Sequence, residues 1–214
     1  MIKNISNLGD AALYCDFGND VDQKTNFKVI KYFENIKKQN IEGITNLTPS
    51  YNKLIISFDL NVLNFTELKK KIEAIKISEN NIKQNQKIIK IPTCCDDEFA
   101  LDMERLSSKL NLTKKEILEK YFNKEYFCYM TGFIAGMPFL GDIDKKIRLE
   151  RLITPRVKVP KGAVGITEQF ANIYTFESPG GWNILGSTPT KIFDQANEKQ
   201  PTLICPGDKV LFYE

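Results

Sequence analysis

Residues 154–186 read TPRVKVPKGAVGITEQFANIYTFESPGGWNILG, and their pattern indicates the architecture of the C-terminal part of the chain. Its apolar runs are only strand length, and proline or glycine separates them. Many short strands with frequent turns are typical of a barrel or a sandwich. The same pattern predicts strands over 127–133, 163–166, 173–176, 182–185, 191–193 and 209–213.

Two prolines, Pro155 and Pro160, bracket a cationic segment within this stretch. Strand alternation predicts that Arg156 and Lys158 share one face of an extended segment. A rigid cationic face suits a carboxylate or phosphate ligand, which arginine binds through two parallel hydrogen bonds. The alternative is a solvated edge strand that its charges protect from unwanted pairing. Arg156 and Lys158 are therefore candidate catalytic residues.

The hexapeptide ESPGGW at 177–182 joins a carboxylate, a Pro-Gly-Gly run and the single tryptophan of the chain. Pro-Gly-Gly is costly in an ordinary strand, so we predict a turn whose amides could bind an anion. The alternative is a hairpin turn beside a core tryptophan. Glu177 is a further candidate catalytic residue. The candidate substrate contacts here are Pro179, Gly180, Gly181 and Trp182.

Residues 132–141, GFIAGMPFLG, hold three glycines and two aromatic side chains. Glycine lets the backbone adopt a positive φ or approach a ligand closely. The spacing from Gly136 to Gly141 is that of a phosphate loop, but Asp142 stands where such a loop has lysine. The alternative is a tight structural turn beneath an aromatic plug. The candidate substrate contacts in this segment are Gly132, Phe133, Gly136 and Phe139.

An acidic run, CCDDE at 94–98, is followed by Asp102 and concentrates four carboxylates. Such a group suits a cation site or a general base, for which Glu98 is the candidate. The alternative is capping of the helix that follows, because acidic residues stabilise a helix N-terminus.

The N-terminal part alternates between strand and helix patterns. We predict strands over 12–17, 44–47, 53–58 and 87–93, and amphipathic helices over 21–39 and 65–77. This order, β-α-β-β-α-β, is the split βαβ pattern of ferredoxin-like domains. The polar run SENNIKQNQ at 78–86 is a predicted linker.

The predicted domains are therefore 1–83, a small α/β domain, and 84–214, a β-barrel with two leading helices. Those helices fall within 100–121, and Thr113 with Glu116 forms a capping box for the second of them.

The composition limits the classes of function. The 214 residues carry 30 basic and 27 acidic side chains, a net charge of +3, and the lysines form no single stripe. We expect no nucleic-acid partner. No apolar run approaches a membrane span, and none follows Met1 as in a signal peptide. We therefore expect a cytoplasmic protein with no membrane partner.

The chain has no histidine. Ser-His and Cys-His nucleophile pairs are thus excluded, as is imidazole acid-base catalysis. Five cysteines are irregularly spaced without a CxxC motif, so we expect reduced thiols and no metal site.

Several segments together resemble a known family. GFIAGMPFLGD, TPRVKVPKG, IYTFESPGGWNILGSTP and CPGDKVLFYE are similar, in that order, to signature segments of the family of 5-oxoprolinase B subunits. This family is also called allophanate hydrolase subunit 1 or KipI-like kinase inhibitor. The resemblance covers nearly the whole chain, including IPTCCDDEF.

The resemblance implies an α+β fold, with the small N-terminal domain followed by a cyclophilin-like β-barrel. It also implies two partner proteins, which are the C-like and A-like subunits of 5-oxoprolinase. The complex would bind ATP, with or without Mg²⁺, and would use it to open 5-oxoproline to glutamate. This chain would be a hydrolase component that is inactive on its own.

The sequence departs from the family pattern at several positions. A histidine usual in the helix before the barrel aligns with Tyr121, and a glutamine aligns with Phe170. In the GFxPGFxYLG segment, three family residues are replaced by Ala135, Met137 and Phe139.

Two other functions stay open. One is a regulatory inhibitor of a sporulation-type histidine kinase, a role that the absent histidine favours. The other is a urea- or allophanate-related module, which the older family label suggests.

Overall fold

The computed structural model describes residues 2–77 and 86–214. The chain divides into two compact units, Met1–Gln84 and Asn85–Glu214. The predicted linker over 78–86 lies outside the described residues except for Gln86, as does the predicted boundary between residues 83 and 84. Each unit has its own buried apolar core.

The first unit is a four-stranded sheet with two helices. Its strands are β1 (Asn4–Asn7), β2 (Ala12–Asp16), β3 (Ile44–Pro49) and β4 (Lys53–Phe58), and its helices are α1 (Gln23–Gln39) and α2 (Phe65–Glu73). The sheet order is β1-β2-β4-β3, and each neighbouring pair is antiparallel. In β4, Leu54, Ile56 and Phe58 are buried in alternation, as expected for a sheet with one face on the core.

Polar caps set the helix starts in this unit. The Asp22 carboxylate accepts a hydrogen bond from the Thr25 N–H at 2.7 Å, so α1 begins after Asp22 and not at residue 21. A capping box between Asn64 and Glu67 starts α2. That helix ends at Glu73, four residues before its predicted end.

The ferredoxin-like topology predicted for this unit is not confirmed. The strand predicted over 87–93 forms as β5 (Ile88–Pro92), but it pairs in parallel with β13 (Lys209–Tyr213) of the second unit. The edge position beside β2 is occupied by β1, which the sequence analysis missed. A short hairpin brings β1 to β2, with the Leu8 N–H donating to the Ala12 carbonyl at 2.9 Å.

The second unit is built on a seven-stranded sheet that curls into a half-barrel. Two helices precede its main strands, α3 (Met103–Leu110) and α4 (Lys114–Phe122). The strands between β5 and β13 are β6 (Glu125–Thr131), β7 (Pro138–Gly141), β8 (Arg156–Val159), β9 (Ala163–Thr167), β10 (Phe170–Ile173), β11 (Ser178–Gly180) and β12 (Asn183–Ser187). The sheet order is β12-β9-β10-β7-β6-β13-β5, while β8 and β11 form a separate two-stranded ribbon.

The pattern of short strands is confirmed, but two positions are wrong. The strand predicted over 173–176 lies earlier, at β10, because Glu168 adopts a positive φ and the hairpin pairs Phe170 with Thr167. The strand predicted over 191–193 does not form, and Phe193 makes only an isolated bridge to Thr202.

An aromatic cluster anchors α4 to the sheet. Tyr121, Tyr126 and Phe212 are fully buried, with ring centroids 5.0 to 5.6 Å apart. The Tyr126 hydroxyl donates to the Tyr121 carbonyl oxygen at 2.6 Å. Because aromatic pairs at this spacing stabilise a core beyond simple burial, this cluster fixes α4 on β13. Tyr121 is therefore a core residue, and its position is remote from solvent.

All five cysteines are free thiols, as expected. Burial raises the pKa of the Cys95 thiol to about 12, and that of Cys15 likewise to about 12. Such thiols stay protonated and are poor nucleophiles. In the described parts of the chain, no helix is long and apolar enough to cross a bilayer.

The capping box of α4 offers a test of the local fold. The Thr113 hydroxyl accepts from the Glu116 N–H at 3.2 Å, and the Glu116 carboxylate accepts from the Thr113 N–H at 2.8 Å. Thr113→Ala removes this cap, so we expect a loss of about 1 kcal/mol in the free energy of unfolding. Ser108→Ala, an exposed change inside α3, is the control and should shift it by less than about 0.5 kcal/mol. Urea denaturation of the full chain measures both, and equal stabilities would contradict the role of the cap.

Candidate functional site

The ribbon of β8 and β11 joins two segments that the sequence analysis singled out separately. Arg156 on β8 pairs with Gly180 on β11, and Val159 pairs with Ser178. The cationic segment and the Pro-Gly-Gly segment therefore lie side by side. Ser178–Gly180 is a short strand with a shifted register and not the predicted turn, because a bulged edge strand tolerates proline and glycine.

Arg156 is held by a buried carboxylate. Its Nη1 and Nη2 atoms donate to the two oxygens of Asp102 at 2.9 and 2.6 Å. Asp102 is only 4% exposed, and one of its oxygens also accepts from the Ile184 N–H at 2.7 Å. The Asp102 side chain makes no cap for α3. The sequence suggested a cation site or general base, or a cap for the following helix. The structure gives the Asp102 carboxylate a third role, which is to join α3, β8 and β12.

Lys158 is paired as well. Its Nζ lies 3.0 Å from a Glu177 carboxylate oxygen, and both side chains are more than half exposed. An exposed pair of this kind contributes little to stability, so it defines local charge and not the fold. Two of the three candidate catalytic residues on the ribbon thus neutralise each other at its surface.

Tyr174 lies against the backbone of β11. A Cβ atom built on Gly180 would fall 2.8 Å from Tyr174 Cζ and closer still to the hydroxyl oxygen. Only glycine leaves room for this contact. At Gly181, by contrast, a Cβ would meet nothing nearer than 3.6 Å. The two glycines of the Pro-Gly-Gly segment therefore have different roles.

Trp182 and Phe139 form an apolar wall beside this contact. Their rings meet edge to face with centroids 5.7 Å apart. Trp182 is 7% exposed and belongs to a cluster with Tyr174, Val159 and Ile184. The structure thus brings together Phe139, Gly180 and Trp182, which were predicted from two distant segments.

The phenol of Tyr174 has a polar environment within this apolar wall. Burial raises its pKa, while the Asn172 side chain, the backbone of Trp182 and the charges of Arg151 and Arg156 act in the opposite direction. A buried hydroxyl surrounded by donors and cations is a suitable hydrogen-bond donor to an oxygen that gains negative charge.

The segment 132–137 is a tight turn between β6 and β7. The Gly132 N–H donates to the Met137 carbonyl at 3.0 Å, and Gly136 has a φ of 71° with the Phe193 ring packed against it. Phe133 projects outward and is 77% exposed. Gly132, Phe133 and Gly136 thus match the structural-turn alternative.

Glu98 contributes to a cavity and not to the ion pairs of the ribbon. It borders a small cavity of about 40 Å³ with Pro160 and Ile184, and it makes no ion pair with a described residue. Within residues 2–77 and 86–214, no three acidic or cysteine side chains converge as metal ligands. A larger open groove of about 730 Å³ runs along α4, but it contains none of the predicted site residues.

Sequence reasoning missed three residues of this site: Arg151, Asn172 and Tyr174. Asn172 and Tyr174 are two positions apart at the end of β10, so alternation could have placed them on one face. Arg151 follows Glu150 in the segment IRLERLI at 147–153, which contains no motif that would have singled it out.

Comparisons with known proteins match most of the chain in sequence and find solved structures with a similar fold. The family described as carboxyltransferase domain, subdomain C and D, matches residues 3–204. The B subunit of 5-oxoprolinase from Bacillus subtilis is 32% identical over 220 residues, which cover 97% of this chain and 91% of that protein.

Two solved structures resemble this one. The protein TTHA0988 has a TM-score of 0.84 at 28% identity, over 95% of this chain but only 39% of its own. The urea carboxylase of Kluyveromyces lactis has a TM-score of 0.78 at 21% identity, over 98% of this chain and 21% of its own. The second likeness concerns the fold alone.

The contact between Gly180 and Tyr174 can be tested with the neighbouring glycine as control. Gly180→Ala places a methyl group against the phenol, so we expect a loss of about 1–3 kcal/mol in the free energy of unfolding. Gly181→Ala has room for its methyl group and should change stability by less than about 1 kcal/mol. Urea titrations of the two variants should separate them. Equal midpoints would show that β11 is not confined by Tyr174.

The two ion pairs of the ribbon should differ in strength. Asp102→Asn leaves Arg156 without its carboxylate, and because Arg156 is partly exposed we expect a loss of about 1–3 kcal/mol. Glu177→Gln breaks the exposed pair and should cost less than about 1 kcal/mol. Thermal unfolding of both variants measures this difference, and a larger loss for Glu177→Gln would contradict the structure.

Proposed function

Because the chain belongs to the family of 5-oxoprolinase B subunits, within the family of carboxyltransferase domains of subdomains C and D, we propose that it serves in a complex that opens 5-oxoproline to glutamate with ATP. The observation that carries this proposal is the pairing of Arg156 with Gly180, which gathers cations and a buried phenol around one short ribbon.

The chemistry explains why such a ribbon is useful. A five-membered lactam is stable, and its amide carbon becomes reactive once a phosphoryl group from ATP is attached to the lactam oxygen. ADP leaves when the phosphoryl group is transferred. One water then adds to that carbon and the C–N bond breaks with a proton passing to nitrogen, which gives an acyl phosphate and a free amine. A second water hydrolyses the acyl phosphate to glutamate and phosphate. Negative charge grows on oxygen during these steps, and fixed donors and cations stabilise it.

The proposed roles follow from position. The buried phenol of Tyr174 would donate a hydrogen bond to the oxygen of the lactam as negative charge grows on it. Lys158 and Glu177 are exposed at the edge of the ribbon. There they would contact charged or polar groups of the substrate or of a partner protein. Phe139 and Trp182 would exclude water from the ring of the substrate.

The segment 132–141 gives no support for ATP binding by this chain. The glycine segment that resembles a phosphate loop is a tight turn whose amides bond to its own carbonyls, and Asp142 replaces the lysine. We therefore propose that a partner protein binds ATP, with Mg²⁺ where the nucleotide requires it.

The partners in this proposal are the C-like and A-like proteins of a 5-oxoprolinase. The Bacillus subtilis relative is itself named as one lettered part of that enzyme, which supports a complex of several different chains. TTHA0988 supports it in another way, since the region similar to this chain is 39% of a longer polypeptide. Regions that are fused in one protein commonly act together when they are separate chains.

Reconstitution tests the proposed function. We expect ATP-dependent glutamate release from 5-oxoproline when the chain is co-expressed with its C-like and A-like neighbours, and none from the chain alone. Lys158→Met should lower kcat/KM about tenfold because it removes a cation at the ribbon. Lys115→Met, an equally exposed lysine that is paired with Glu119 on α4, is the matched control and should retain full activity.

Other outcomes would redirect the assignment. No turnover by the complete complex, together with tight binding to a sporulation-type histidine kinase, would favour the inhibitor function. Turnover that needs urea or allophanate in place of 5-oxoproline would favour the urea-related function. Equal activity of Lys158→Met and Lys115→Met would remove Lys158 from the site.

A further inference from the structure

Asn172 is a buried polar side chain with unmet hydrogen-bonding capacity. It is fully buried on β10, and neither its amide nitrogen nor its amide oxygen has a hydrogen-bond partner of good geometry among the described residues. Leaving such groups unpaired in the interior is unfavourable, so native proteins seldom keep them without a reason. An amide offers one acceptor and two donors in a single plane, which complements another amide.

The surroundings of Asn172 are those of the candidate site. Its oxygen lies 3.0 Å from the point where a Cβ on Gly165 would stand, and the Trp182 Cβ lies 3.1 Å from the same point. Its side chain is also close enough to Tyr174 to affect that phenol. Asn172 therefore lies beneath the wall formed by Trp182 and Tyr174, next to β11.

Arg151 is an uncompensated cation at the same place. Its guanidinium has no ion pair or hydrogen bond with any residue in 2–77 or 86–214, whereas Arg156 is neutralised by Asp102. Its Nε atom lies 3.6 Å from the point where a Cβ on Gly181 would stand. The Leu152 N–H donates to the Gly181 carbonyl at 2.7 Å, which fastens the loop of Arg151 to the end of β11.

We propose that Asn172 and Arg151 together recognise a small ligand that carries both a planar amide and a carboxylate, with the amide bound by Asn172 and the carboxylate by Arg151. This inference rests on the proposed function, and it assigns the two recognition groups for a lactam acid. Arginine binds a carboxylate through two parallel hydrogen bonds, and the unpaired amide of Asn172 gains the partners that it lacks. Since Asn172 is covered, Trp182 and the two glycines before it must shift to admit the ligand.

Two analogues of 5-oxoproline separate these contacts. 2-Pyrrolidinone keeps the lactam but lacks the carboxylate, and proline keeps the carboxylate but lacks the lactam carbonyl. In the reconstituted complex, Arg151→Gln should raise the KM for 5-oxoproline at least about tenfold, while inhibition by 2-pyrrolidinone should change by less than about twofold. Lys146→Gln, an exposed cation in the 3-10 turn Lys145–Ile147, is the control and should match the wild type.

Asn172→Leu gives a second and independent test. It is close in shape and removes two unpaired polar groups, so the free energy of unfolding should stay the same or rise. The preference for 5-oxoproline over proline as a competing ligand should fall at least about tenfold. A variant that keeps or gains stability but loses its preference for 5-oxoproline would show that Asn172 acts in binding and not in holding the fold.

The results that would overturn the inference are distinct from those that would overturn the function. If the wild-type complex neither binds nor converts 5-oxoproline, both proposals fall. If the wild type converts it but Arg151→Gln weakens the binding of 5-oxoproline and of 2-pyrrolidinone equally, Arg151 does not bind the carboxylate. If Asn172→Leu keeps the wild-type preference, its amide is satisfied by water and this inference is wrong while the proposed function stands.

Discussion

The ion pair between Asp102 and Arg156 is the constraint on which the candidate site depends. It links the start of α3 to β8, and the same carboxylate accepts a hydrogen bond from the backbone of β12. The two-stranded ribbon has no place in the seven-stranded sheet, so this carboxylate is a principal tie between them. Because Asp102 is buried and fully hydrogen-bonded, its charge stabilises a particular geometry and does not remain available to a ligand.

The ion pairs of the ribbon change which cation is free to bind a substrate. Arg156 and Lys158 were the obvious candidates from sequence, yet each faces a carboxylate in the structure. Arg151 has no such partner among the described residues and lies beside Gly181. An uncompensated cation attracts an approaching anion more strongly than a paired one, so Arg151 is the strongest anion-binding group here. Lys158 can still act on a substrate, because its pair with Glu177 is exposed and weak and can exchange its partner.

Local patterns predicted local structure well and long-range structure poorly. Strand β4, the cap of α4 and the run at β13 follow from alternation and capping chemistry that act over a few residues. The partner of β5 could not be predicted in this way, because a parallel pairing with a distant strand leaves no local signal. The importance of Asn172 was hidden for a similar reason, as only the assembled neighbourhood reveals that its amide has no partner among the described residues.

The parallel pairing of β5 with β13 also has a consequence for biosynthesis. Ile88 pairs with Lys209, so the second unit joins its first strand to its last. Contacts between such distant segments form slowly, because a long loop must close before they can stabilise anything. During translation, β5 must therefore wait, with an unpaired edge, until nearly the whole unit has left the ribosome. An exposed strand edge of this kind can pair with other nascent chains and so promote aggregation. Rapid pairing of β5 with β13, once β13 is synthesised, shortens the period in which this can happen.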